Sequence, residues 1–262
     1  MKMLFIFLFS FFSLKVNALI IAVVDAPLCK NIFASNIVIH GSAQKDCPFP
    51  LPPDRKYHGN FVIQNFLQNY HSSKDEKITI YHFSVFDNQG EQNRQLWLKA
   101  LAEVSVLKPD LTIMAVGYFG NTSDFPSELS GLTILAAGTV GLGIKRDTIL
   151  WPQLLDDHKI FLVGHFFPSK KRHQVGGLKQ KQGQIGPDLL TKSRVQYFVA
   201  ESTEKENLGG SSRATSLAAA SVLNKCKNEV LSKNIAQLKA CLLKKNTLFL
   251  SENFVEKIEL TP

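Results

Sequence analysis

Short runs of apolar residues that do not alternate with polar ones constrain this chain more than any other feature. Residues 19–24 (LIIAVV), 111–116 (LTIMAV), 132–136 (LTILA) and 160–163 (IFLV) are almost wholly apolar and rich in β-branched side chains. A strand with one face in water alternates apolar and polar residues, whereas a strand buried on both faces does not. Residues 36–40, 77–86 and 195–199 read as further strands. Helical segments lie between them, and strands alternating with helices predict an α/β fold. The expected architecture has three layers, a mainly parallel central sheet with helices on both faces.

The helices are read from their spacing. Phe61, Val62, Phe66 and Leu67 recur at helical intervals within residues 59–70, predicting a helix that starts near His58. Residues 91–107 predict an amphipathic helix with Leu96, Leu98, Leu101, Ala102 and Val106 inward. The turn Gly209-Gly210 opens a helix of small residues through Leu223, and residues 228–243 predict another. The proline-rich residues 48–53 form a loop. With no linker and no internal repeat, residues 19–262 are expected to form one domain.

The first 18 residues, MKMLFIFLFSFFSLKVNA, differ in kind from the rest. Lys2 precedes a 12-residue apolar run, and Val16-Asn17-Ala18 offers small residues at the −3 and −1 positions of a cleavage site. That is the pattern of a secretory signal peptide. The competing reading is an anchor, but 12 residues of helix span only about 18 Å, short of a bilayer core. Cleavage after Ala18 leaves 244 of the 262 residues and lowers the net charge from +8 to +6. The chain is then expected to be secreted or periplasmic, with no later membrane segment and no room for a propeptide before the first strand. The remaining Lys and Arg cluster in residues 170–172, 179–181 and 225–245, which read as solvated loops and one helix face. They lack the interleaved aromatics of a nucleic-acid groove, so no nucleic-acid partner is expected. Cys29, Cys47, Cys226 and Cys241 allow three disulfide connectivities. The simplest joins near neighbours, Cys29 to Cys47 and Cys226 to Cys241. Scattered His residues and the absence of CxxC spacing predict no metal site and no cofactor.

Chemistry in a parallel sheet collects at the carboxyl ends of the strands. Asp25 closes the first strand, His58 begins a helix, and Ser212 begins another after a Gly-Gly turn. A serine nucleophile needs a base to accept its proton, and that base needs a carboxylate to fix its tautomer. A helix N-terminus behind the serine adds a backbone N–H and a positive dipole end for an oxyanion. Taken singly, these residues are equally well a turn Asp, a loop His and a helix cap.

Their order and the words around them carry a resemblance. Asp, then His, then Ser is the subtilisin order. Val23-Val24-Asp25 resembles the subtilase V-x-D-[ST]-G word. His58-Gly59-Asn60 resembles H-G-T, and Gly210-Ser211-Ser212-Arg213-Ala214 resembles G-T-S-[MF]-A. Met114-Ala115-Val116-Gly117 resembles the x-S-x-G strand that pairs with substrate, and Ala136-Ala137-Gly138-Thr139 resembles A-A-G-N. The likeness to the subtilisin-like serine proteases covers nearly all of residues 19–224.

The resemblance implies a serine endopeptidase acting on polypeptides as a monomer. Ser212 would be the nucleophile, His58 the general base and Asp25 the orienting carboxylate. Ala115, Gly117, Ala137 and Gly138 would line the pocket for the substrate side chain. The chain departs from the family at Ala26-Pro27, Phe61 and Thr215, and Thr139 stands where the oxyanion Asn is expected. Removing one such donor costs about 2.7–4 kcal/mol in subtilisin itself. Asn121 is the next candidate donor. The alternative reading is a catalytically impaired relative that binds peptides or a partner. A nucleotide-binding reading of residues 138–143 fails on pattern, which is G-x-x-G-x-G with no helix following.

Overall fold

A computed structural model describes residues 18–29, 37–41, 57–73, 76–87, 89–138, 151–166, 173–175, 178–180, 197–200, 210–244 and 249–250. The strands are β1 (Leu19–Asp25), β2 (Ile37–His40), β3 (Ile78–Ser84), β4 (Leu111–Met114), β5 (Thr133–Ala136), β6 (Ile160–Phe166), β7 (His173–Val175), β8 (Leu178–Gln180), β9 (Tyr197–Ala200) and β10 (Phe249–Leu250). The helices are α1 (His58–Asn69), α2 (Arg94–Leu107), α3 (Gly210–Leu231) and α4 (Ile235–Lys244). One sheet runs β10-β9-β6-β5-β4-β1-β3-β2. Every pairing in it is parallel except β10 on β9. The fold is α/β.

Side-chain alternation along the strands separates two cores. Leu19, Ile21, Val23, Ile78, Ile80, Leu111, Ile113, Ile134, Phe161 and Val163 join α1 and α3 on one face. Ala22, Val24, Met114 and Leu135 join α2 on the other. Buried strands need no polar face, which is why their sequences do not alternate.

Strand order fixes where a site can form. From β1 the chain runs outward to β2, and from β4 it runs the opposite way to β5 and β6. The adjacent carboxyl ends of β1 and β4 are therefore the topological switch point, where a crevice opens in sheets of this kind.

The structure corrects four local expectations. The buried stripe of α2 is Trp97, Ala100, Leu101 and Val104, not the set built on Leu96 and Val106. Leu96 and Leu98 are half-buried, whereas Ala102 is exposed and Val106 is 84% exposed. The i, i+3, i+4, i+7 register is set by the largest side chain, Trp97, which the leucine spacing passed over. The small-residue helix does not stop at Leu223 but continues to Leu231, through non-helical dihedrals at Cys226. The last helix accordingly starts at Ile235 rather than residue 228, after a turn in which Lys233 adopts φ 55°. Lys179, read as part of a loop, lies in β8 of the antiparallel pair β7–β8, whereas residues 170–172 lie outside the described residues.

No described helix is long and apolar enough to cross a membrane. Cys226 and Cys241 form a disulfide. Cys29 is also disulfide-bonded, and Cys47 lies outside the described residues, as do residues 1–17 of the N-terminal segment.

Candidate functional site

The word His58-Gly59-Asn60 has a structural reason at each letter. The His58 ring, at the first position of α1, meets Asp25 at the end of β1, with Nδ1 2.6 Å from Oδ1. Gly59 lies against the turn that follows Asp25, where an added Cβ would sit 2.5 Å from the Ala26 carbonyl oxygen. Asn60 is wholly buried and grips the peptide of Cys29, accepting from its N–H at 3.1 Å and donating to its C=O at 3.2 Å. Helix α1 is thereby fixed to the segment leaving β1, and the imidazole reaches the carboxylate.

Asp25 is fully buried and also accepts from the Ala26 N–H at 2.7 Å. An ionised carboxylate can only accept, so the His58–Asp25 bond puts the imidazole proton on Nδ1. Nε2 is left with its lone pair. The His58 side chain is 24% exposed.

Ser212 stands in the first turn of α3 and is half-buried. Its hydroxyl donates to the Ala115 carbonyl at 3.2 Å. Ala115 follows β4, so Ser212 and Asp25 attend the two adjacent strand ends of the switch point. Gly210 opens the helix at φ 63°, a left-handed conformation that favours glycine.

The two helices that carry His58 and Ser212 are clamped at their far ends. Asn224 of α3 donates to Asn69 O and accepts from His71 N–H, each at 2.8 Å. Lys227 of α3 pairs with Glu76, which accepts from the Tyr70 hydroxyl at 2.9 Å. Burial, then the Glu76 carboxylate, raise the Tyr70 phenol well above its ordinary range. Small residues make this packing close: Ala214, Ala218, Ala219 and Ala220 are all buried against α1 and the sheet.

The segments leaving β4 and β5 hold Ala115, Gly117, Ala137 and Gly138. Ala115 and Ala137 are buried, and Gly138 has φ 80°. Gln153 lies between these segments, its Nε2 donating to Ala136 O at 2.9 Å and Val116 O at 3.3 Å. Gln92 reaches the same segment from the loop after β3, donating to Gly117 O and accepting from Phe119 N–H. Nothing in the sequence around either glutamine signals these long-range contacts. Thr139 lies outside the described residues. Asn121 is a turn residue whose Oδ1 accepts from Ser123 N–H at 3.0 Å.

A cavity of about 550 Å³ opens elsewhere, on the α2 face among Leu98, Leu101, Met114, Pro126 and Leu129. Its lining includes none of Asp25, His58 and Ser212. The structure thus brings Asp25 and His58 into direct contact and sets Ser212 on the neighbouring strand end, with its hydroxyl turned to Ala115. No family model matches this chain, and no curated protein matches it either.

Proposed function

We propose that the chain is a subtilisin-like serine endopeptidase. The observation that carries the reading is the 2.6 Å bond from His58 Nδ1 to the buried Asp25 carboxylate. This pair fixes the tautomer in which Nε2 accepts a proton and stabilises the imidazolium that results. The reading requires the Ser212 hydroxyl to leave Ala115 O and give its proton to His58 Nε2 as Oγ attacks the scissile carbonyl. The oxyanion faces the N-terminus of α3, where backbone N–H groups and the helix dipole favour negative charge. His58 then protonates the leaving amine, and water hydrolyses the acyl-Ser212 ester by the same route in reverse. Ala115, Gly117, Ala137 and Gly138 border the pocket for the substrate side chain. Export to an oxidising compartment accords with the N-terminal segment and the disulfide.

One observation favours a second reading, a peptide-binding relative without turnover: the Ser212 hydroxyl donates to a backbone carbonyl. Hydrolysis of unfolded casein separates the two. The protease reading expects new amino termini to appear, and none with Ser212→Ala. Casein binding without cleavage by folded wild-type protein would reject it.

A further inference from the structure

The segment leaving β4 has two edges. On one, Tyr118 N–H donates to Trp151 O at 2.8 Å and Trp151 N–H donates to Tyr118 O at 3.1 Å. The other edge presents Gly117 O and Phe119 N–H. These are the two groups that a single residue of a parallel neighbouring strand would bond. Gln92 takes both: its Nε2 donates to Gly117 O, and its Oε1 accepts from Phe119 N–H at 3.1 Å. One side-chain amide therefore occupies the place of one peptide residue.

The position of this tie gives it significance. Gln92 is anchored by a backbone bridge to Phe86, and the adjacent Asn93 N–H donates to Val85 O at 3.1 Å. Its loop follows β3, whereas its partners follow β4. Strand β1 lies between β3 and β4 and ends at Asp25. The tie thus crosses the crevice at the strand end where Asp25 meets His58. Gln92 is only half-buried, so its bonds exchange with water at modest cost.

We propose that Gln92 is an internal competitor that selects extended polypeptides, an inference that rests on the peptidase reading. A peptide adding a strand to Gly117–Phe119 recovers the displaced bonds through its own backbone and adds side-chain contacts on either side. A small ester or single amino-acid amide recovers neither. The preferred substrate is therefore an unfolded segment of several residues.

The test uses the full chain. Binding of fluorescein-labelled casein is followed by anisotropy on Ser212→Ala, with and without Gln92→Ala. Two neutral hydrogen bonds set the scale, and release of the edge tightens binding about five- to hundredfold. Gln92→Glu, whose ionised carboxylate cannot donate to Gly117 O but still accepts from Phe119 N–H, gives a smaller gain above the carboxylate titration range. Equal, weaker or undetectable binding in both variants overturns the proposal. Fluorophosphonate labelling of Gln92→Ala with Ser212 intact reads the peptidase assignment separately. Labelling without tighter casein binding rejects the competitor alone; tighter binding without labelling rejects the peptidase assignment alone.

Discussion

The two faces of the sheet are built from different materials. On the α2 face, large rings fill the space: Phe125 and Trp151 meet edge-on at 4.8 Å between centroids, and Trp97 and Trp151 at 5.9 Å. On the α1/α3 face the rings of Phe61, Phe66 and Phe161 are joined by the small residues Ala214, Ala218, Ala219 and Ala220 of α3, and buried polar side chains gather towards its rim: Asp25, Asn60, Ser211, Thr215 and Ser216. Large rings bury much area and hold the helix away from the sheet. Small side chains let helix backbones approach, so that residues at helix N-termini reach strand ends. One face is packed around Trp97; the other brings His58 to Asp25 and Ser212 to Ala115.

Substitutions on each face test that division. The largest effect is expected from Asp25→Asn, which keeps the shape but makes the side chain a donor as well as an acceptor. The His58 tautomer then inverts, and kcat for casein hydrolysis falls about 10⁴-fold, the scale known for the trypsin triad. The thermal midpoint should move little by comparison. Next is Trp97→Ala on the opposite face. Trp97 is fully buried, so urea unfolding should show a loss of about 3–5 kcal/mol. Labelling per folded molecule should be unchanged, and a matching loss of labelling would break the division between the faces.

Gly59→Ala is smaller in stability and sharper in function. Alanine is normally the better helix former by about 1 kcal/mol. Here its Cβ meets Ala26 O at 2.5 Å and His82 Nε2 at 3.2 Å, so α1 must move. Overpacking of this kind costs about 1–3 kcal/mol and outweighs the propensity gain. Because His58 is the preceding residue, peptidase activity should fall by more than the folded fraction does. The smallest effect is expected at Val106, on the outer side of α2 and 84% exposed. Val106→Ser should change the urea midpoint by no more than about 0.5 kcal/mol. A cost above 2 kcal/mol would show that the inward stripe based on Val106 holds after all.

The sequence made some of this legible and hid the rest for physical reasons. Buried parallel strands write themselves as apolar runs, so β1, β4, β5 and β6 were readable with ends displaced by a few residues. Asp25 and His58 were readable because each stands at an element terminus, where few residue types serve. The inward face of α2 was misread because leucines outnumber the one tryptophan that sets the register. The break between α3 and α4 carries no Gly or Pro; Lys233 takes the left-handed turn instead, and lysine gives no warning of it. Hairpin β7–β8 is polar and basic, without the alternation that marks a strand. Gln92 and Gln153 act through hydrogen bonds across 25 and 17 or more residues of sequence. A neutral amide has no spacing rule by which such contacts could be foreseen.

The central claim is that His58, paired with the buried Asp25, activates Ser212. Covalent labelling by a fluorophosphonate, with the modified residue located by mass spectrometry, tests it most directly. The account predicts a single adduct on Ser212 at neutral pH, strongly slowed in His58→Ala and absent in Ser212→Ala. Folded wild-type protein that stays unlabelled, or labels at the same rate without His58, would contradict it.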